Sequence, residues 1–99
     1  MVIIIKNSLE VAMALKIDIY TKDLELTSPI RDYVNKKVGR LERFLNEIDE
    51  CRVDLAHAKS ARNLADRNIA QVTIRGKGFI LRAEERAETI QSAIDATVD

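Results

Sequence analysis

From Leu15 to Tyr20 apolar and polar residues alternate strictly, with Leu15, Ile17 and Ile19 on one side. A period of two predicts a half-buried strand. Polar residues follow, and then Thr27-Ser28-Pro29. A hydroxyl at Thr27 or Ser28 accepts the orphan N–H groups of a helix start, and Pro29 fits the first turn, where it has no intrahelical bond to lose. Ile30, Val34, Val38, Leu41 and Leu45 recur at spacings of three and four, flanked by Tyr33 and Phe44. That stripe predicts a helix over residues 28–46. Gly39 lies inside it and weakens it by about 1 kcal/mol relative to alanine without breaking it. Asn46-Glu47-Ile48-Asp49-Glu50 closes the segment.

Alternation then returns. Cys51, Val53 and Leu55 oppose Arg52, Asp54 and Ala56, a second strand. Residues 58–66 are a polar connection. Ala70, Val72 and Ile74 oppose Gln71, Thr73 and Arg75, a third strand. Gly76-Lys77-Gly78 is a tight turn, because glycine reaches positive φ at little cost. Phe79, Leu81 and Ala83 then oppose Ile80, Arg82 and Glu84, completing a β-hairpin. Ala87, Ile90, Ala93, Ile94 and Val98 form a last helical stripe over 87–98. Glu84, Glu85 and Glu88 sit near its start, where negative charge is favourable.

The order is βαβββα, an α+β fold. Each strand has one apolar face and each helix one apolar stripe, so the economical packing is a two-layer sandwich: a four-stranded sheet with both helices on one face. The first two strands, linked through a helix, are expected parallel and right-handed if adjacent, and the other pairs antiparallel. Residues 15–99 form this domain. Residues 1–14 read as an extension ahead of it, a cloning remnant or an upstream start, with Met13 a start in its own right. The alternative is an added edge strand, since Val2-Ile3-Ile4-Ile5 has high β propensity.

Composition narrows the class. The 99 residues are 46% apolar and 32% charged, which is globular and not disordered. The four aromatics, Tyr20, Tyr33, Phe44 and Phe79, are few for a module that binds single strands by stacking. Net charge is zero, yet residues 28–46 carry five basic and two acidic side chains, and residues 51–83 seven and two. Residues 84–99 carry one basic and five acidic. A basic middle steers partners more than the total does. One cysteine, Cys51, forms no intramolecular disulfide and fits a reducing cytoplasm. Val2–Ile5 is too short for a secretory core, and nothing in the sequence spans a membrane.

No reaction centre assembles from these residues. His57 is the only histidine and lies between Ala56 and Ala58 at a strand end, a structural position. Cys51 is in phase with Val53 and Leu55, which makes it a small core residue rather than a nucleophile. Glu84 and Glu85, as strand neighbours, point to opposite faces. Gly76-Lys77-Gly78 joins strand to strand, unlike a phosphate loop. No metal-ligand set and no cofactor motif exist. What remains is basic surface. Lys36, Arg40 and Arg43 fall opposite the apolar stripe of the first helix, with Lys37 at its border, and Arg52, Arg75 and Arg82 point to the sheet face away from the core. Lys59, Arg62, Arg67 and Lys77 sit in or near loops. Any one of these is ordinarily a solvated side chain, but together they fit phosphate contacts. RNA duplexes are read through shape, phosphate and 2′-OH, which needs no aromatics.

Leu26-Thr27-Ser28-Pro29-Ile30-Arg31-Asp32-Tyr33-Val34-Asn35-Lys36-Lys37-Val38, continued by Arg40-Leu41-Glu42-Arg43-Phe44, resembles the first helix of the ribosome hibernation promoting factor and ribosome-associated translation inhibitor family. Ala83-Glu84-Glu85 and Ala93-Ile94-Asp95-Ala96-Thr97-Val98-Asp99 resemble its closing segment, so the likeness covers residues 16–99. The resemblance implies a βαβββα fold similar to double-stranded RNA-binding domains. It implies a cytoplasmic factor that binds the small ribosomal subunit and its rRNA near the decoding region and silences translation, under stress or in stationary phase, by occupancy and not as an enzyme. The candidate rRNA-binding residues are then Lys36, Lys37, Arg40, Arg43 and Arg82. Family members usually continue the last helix with further basic residues, and long members add a dimerising domain. The sequence stops at Asp99, so the last helix is expected to be truncated and part of the rRNA-binding surface to be missing. The competing expectation is a protein-interaction or assembly module that uses a sheet edge without RNA, with a weak homodimer.

Overall fold

A computed structural model describes residues 16–44 and 47–98. Strand β1 (Ile17–Lys22) leads through a short loop to helix α1 (Ser28–Val38), which passes into a 3-10 segment, Gly39–Phe44. Strand β2 (Ile48–His57) follows, then a 3-10 turn (Leu64–Asp66), β3 (Asn68–Gly76), β4 (Phe79–Ala87) and helix α2 (Ile90–Val98). The sheet order is β1-β2-β3-β4, with β1 parallel to β2 and the other pairs antiparallel. The expected βαβββα order and four-stranded sheet with two helices are therefore present.

The core lies between one sheet face and both helices. Val34 and Val38 of α1 and Ile90, Ala93 and Ile94 of α2 bury against Cys51, Val53 and Leu55 of β2 and Ala70 and Val72 of β3. Ile17 and Ile19 pack on the edge of this cluster. These are the alternating and striped positions of the sequence, which is why the pattern gave the layers. Leu15 and Leu45, and the suggested edge strand at Val2–Ile5, lie outside the described residues.

Three boundaries differ from expectation. The first helix is α-helical only to Val38. Gly39 caps it, and the chain continues to Phe44 in the tighter 3-10 winding. Ile48, Asp49 and Glu50 do not close that segment. They open β2, with Ile48 buried and a register shift between Ile48 and Glu50. The last helix begins at Ile90 and not at 87. Glu84, Glu85 and Ala87 belong to β4, where cross-strand pairing with Gln71, Ala70 and Asn68 extends the ladder. Thr89 marks the true helix start, its Oγ1 accepting the Ser92 N–H at 3.1 Å.

The first helix starts as the sequence indicates. Thr27 is the N-cap, its hydroxyl accepting the Ile30 N–H at 3.4 Å, with Pro29 in the first turn. The hairpin turn is Lys77-Gly78, and Gly78 has φ +79°. Gly76 is glycine for a different reason: a Cβ there would overlap the Glu47 carbonyl oxygen and the Phe79 ring.

Candidate nucleic-acid interface

The candidate cations do not share one surface. Lys36 lies on the exposed side of α1 and Arg40 and Arg43 on the exposed side of the 3-10 segment. In 3-10 winding, residues three apart eclipse each other at a rise of roughly 2 Å per residue. Arg40 and Arg43 are therefore stacked in line, in continuation of the Lys36 side of α1. Lys36 and Arg40 make no ion pair or hydrogen bond among the described residues. Their charge is left to solvent or to a ligand.

Lys37 is placed differently. Its ammonium is 3.5 Å from Asp95 Oδ1 on α2, with only 22% of the side chain exposed. It also lies 5.6 Å from the Tyr33 ring centroid. The Tyr33 hydroxyl donates to the same Asp95 carboxylate at 2.7 Å. Tyr33, Lys37 and Asp95 thus clasp the two helices together, and Asp95 neutralises much of what Lys37 would offer a phosphate. The sequence gives one hint of this: Lys37 borders the apolar stripe of its helix.

Arg82 stands on the other side of the molecule. It projects from β4 onto the sheet face that the helices leave open, and its Nε donates to Thr73 Oγ1 at 3.2 Å. This face mixes signs. Lys22, Arg52, Arg75, Arg82 and Arg86 alternate with Asp18, Glu50, Asp54 and Glu84. Arg52 is already committed: Nε is 3.0 Å from Asp54 Oδ2, Nη2 is 3.0 Å from Oδ1, and the guanidinium lies 4.0 Å over the Tyr20 ring. The hydrogen bond to Asp54 raises the Arg52 pKa above its ordinary value, so the group stays charged.

Lys77, which the sequence places in a loop, sits in the hairpin turn between β3 and β4, at the sheet end where Gly76 lies against the Glu47 carbonyl. His57 and Cys51 hold structural positions. His57 Nδ1 is 3.4 Å from Asn68 Oδ1. Cys51 is buried, and burial first, then the Asp18 charge, pushes its thiol up to about 11. Among the described residues no three His, Cys, Asp or Glu side chains group to hold a metal ion, and no helix is long and apolar enough to cross a membrane.

These features define a small α+β domain with a line of exposed cations along its helical side. The chain belongs to the Sigma 54 modulation protein / S30EA ribosomal protein family, whose model matches residues 17–99. Over 78 residues it is 37% identical to the ribosome hibernation promotion factor of Deinococcus radiodurans, covering 79% of this chain and 40% of that protein. It is 33% identical over 81 residues to the protein of the same name from Staphylococcus aureus, covering 82% of this chain and 41% of that one. The chain therefore spans about two-fifths of the length of these relatives. The N-terminal domain of Protein Y from Thermus thermophilus superposes with a TM-score of 0.68 at 30% identity, over 85% of this chain and 86% of that domain. A ribosomal subunit interface protein from Coxiella burnetii has the same fold, with a TM-score of 0.68 at 15% identity, over 83% and 84% of the two chains.

Proposed function

We propose that this chain is a cytoplasmic ribosome-binding factor that sits on the small subunit near the decoding region and silences translation under stress or in stationary phase. It acts by occupying the place of mRNA and tRNA, with no bond made or broken. The observation that carries the reading is the family match over residues 17–99, to which relatives named for ribosome hibernation belong. The surface supports it: Lys36, Arg40 and Arg43 form a line of cations suited to an rRNA backbone. Lys37 contributes less, because Asp95 holds it. Arg82, on the opposite face, lies outside this surface.

Co-sedimentation with purified small subunits at moderate salt tests the reading. The native chain should pellet with subunits, and binding should fall steeply as salt rises. Lys36→Glu/Arg40→Glu/Arg43→Glu should abolish it and relieve inhibition in a cell-free translation assay. Binding that survives the triple reversal would put the interface elsewhere. Binding that survives high salt in the native chain would favour an uncharged protein–protein contact.

A further inference from the structure

We propose that the free edge of β4 pairs antiparallel with β4 of a second copy of this chain, in the register that sets Ala83 opposite Ala83. This goes beyond ribosome binding and does not depend on it.

β4 ends the sheet order among the described residues, so one side of its backbone has no strand partner. Such an edge is a template for another strand unless something blunts it. β4 is guarded only by charge, at Arg82, Glu84, Glu85 and Arg86. β4 keeps an unbroken register with β3 over all nine residues and contains neither a proline nor a bulge. The 3-10 turn Leu64–Asp66, which touches β4, leads directly into Asn68, and Asn68 pairs with Ala87 at the far end of the strand. Ile80 and Leu81, 57% and 59% exposed, are the two most exposed large apolar side chains of the described residues, and both lie on this strand.

The charges on β4 then select the occupant. Opposed residues of an antiparallel pair share a face, and opposite charges there stabilise the pair while like charges oppose it. With Ala83 on the two-fold axis, Arg82 of each copy faces Glu84 of the other, twice by symmetry. Ile80 faces Arg86, whose aliphatic stem covers it, and Leu81 faces the stem of Glu85. Shifting the axis to Arg82 sets Arg82 against Arg82. Shifting it to Glu84 sets Glu84 against Glu84 and Arg82 against Arg86. The centred register alone among these gives two ion pairs and no like-charge contact, and the strand is complementary to itself rather than to a uniformly charged ligand.

The test is sedimentation equilibrium of the chain alone, from micromolar to millimolar concentration, with no ribosomes present. A weak, concentration-dependent dimer is expected. Arg82→Glu and Glu84→Arg, each placing two like-charge pairs at the axis, should weaken association by about tenfold or more. The double swap Arg82→Glu/Glu84→Arg should restore it. Under mild oxidation Ala83→Cys should cross-link to itself faster than Glu85→Cys. A monomer at every concentration, single reversals without effect, a double swap that fails to restore pairing, or faster cross-linking at position 85 would each overturn the proposal. A dimer lost only on deleting residues 1–14 would also overturn it.

Discussion

Single residues set several features of the molecule, and two glycines act in opposite senses. At Gly76 there is no room for a side chain, because the Glu47 carbonyl and the Phe79 ring close on the backbone. Gly76→Ala forces the hairpin base and the start of β2 apart. It should destabilise the fold by about 1–3 kcal/mol, the range of overpacked sites, read as a lower urea midpoint. Gly39 has open space around it and ordinary helical dihedrals, φ −59° and ψ −17°. Gly39→Ala removes unfolded-state freedom without strain and should stabilise by about 0.4–1 kcal/mol in the same measurement. Cys51 adds a pH dependence. Its thiol titrates at about 11 in the folded chain against an ordinary 9.0, so between these values the unfolded chain has lost a proton that the folded chain keeps. Stability should therefore fall as pH rises from about 9 to 11, and Cys51→Ala should flatten that part of the profile. A profile unchanged by the substitution would show that the buried thiol is not the group responsible.

At the level of elements, the two helices are tied by one polar clasp above the apolar core. Tyr33 on α1 donates to Asp95 on α2, and Lys37 pairs with the same carboxylate. Tyr33→Phe keeps the ring and removes the donor, and should lower stability by about 1 kcal/mol in thermal or urea unfolding. A shift no larger than that of an exposed control such as Asn35→Ala would mean that the clasp holds nothing. The clasp also marks what the sequence could not convey. Alternation at Cys51–Leu55, Ala70–Ile74 and Phe79–Ala83 identified the strands because each has one wet and one dry face. The stripe Ile30–Val34–Val38–Leu41 marks the first helix but not its change of winding, since the step of three from Val38 to Leu41 keeps one face in either helix type. The start of α2 was placed early because Ala83, Glu85 and Ala87 continue a strand alternation while Ala87, Ile90 and Ile94 also fit a helix. Cross-strand pairing with Asn68–Val72 decides between them, and that is a tertiary fact. The exposed cations of the helix were legible from the helical period. That Asp95, distant in sequence, occupies Lys37 was not.

For the whole molecule, the decisive property is how charge divides between the two sides. The open sheet face carries five basic and four acidic side chains, interleaved and in part paired. A phosphate approaching it meets carboxylates at nearly every step, so its gain from any one guanidinium is offset nearby. The helical side presents Lys36 and Arg40 with no partner among the described residues, in line with Arg43. If the proposed rRNA contact runs along this line, each residue that neutralises a phosphate should add to the steepness with which binding falls in salt, by about 1 in the slope of log K against log salt. Measured on small subunits, Arg40→Gln and Lys36→Gln should each reduce the slope by about that amount. Lys37→Gln should reduce it by less, because Asp95 already screens the ammonium. Arg82→Gln should leave it unchanged, since that side chain stands on the mixed face with Thr73. Equal reductions at Arg82 and Arg40 would mean that the RNA wraps both faces. No reduction at Arg40 or Lys36 would remove the helical line from the interface.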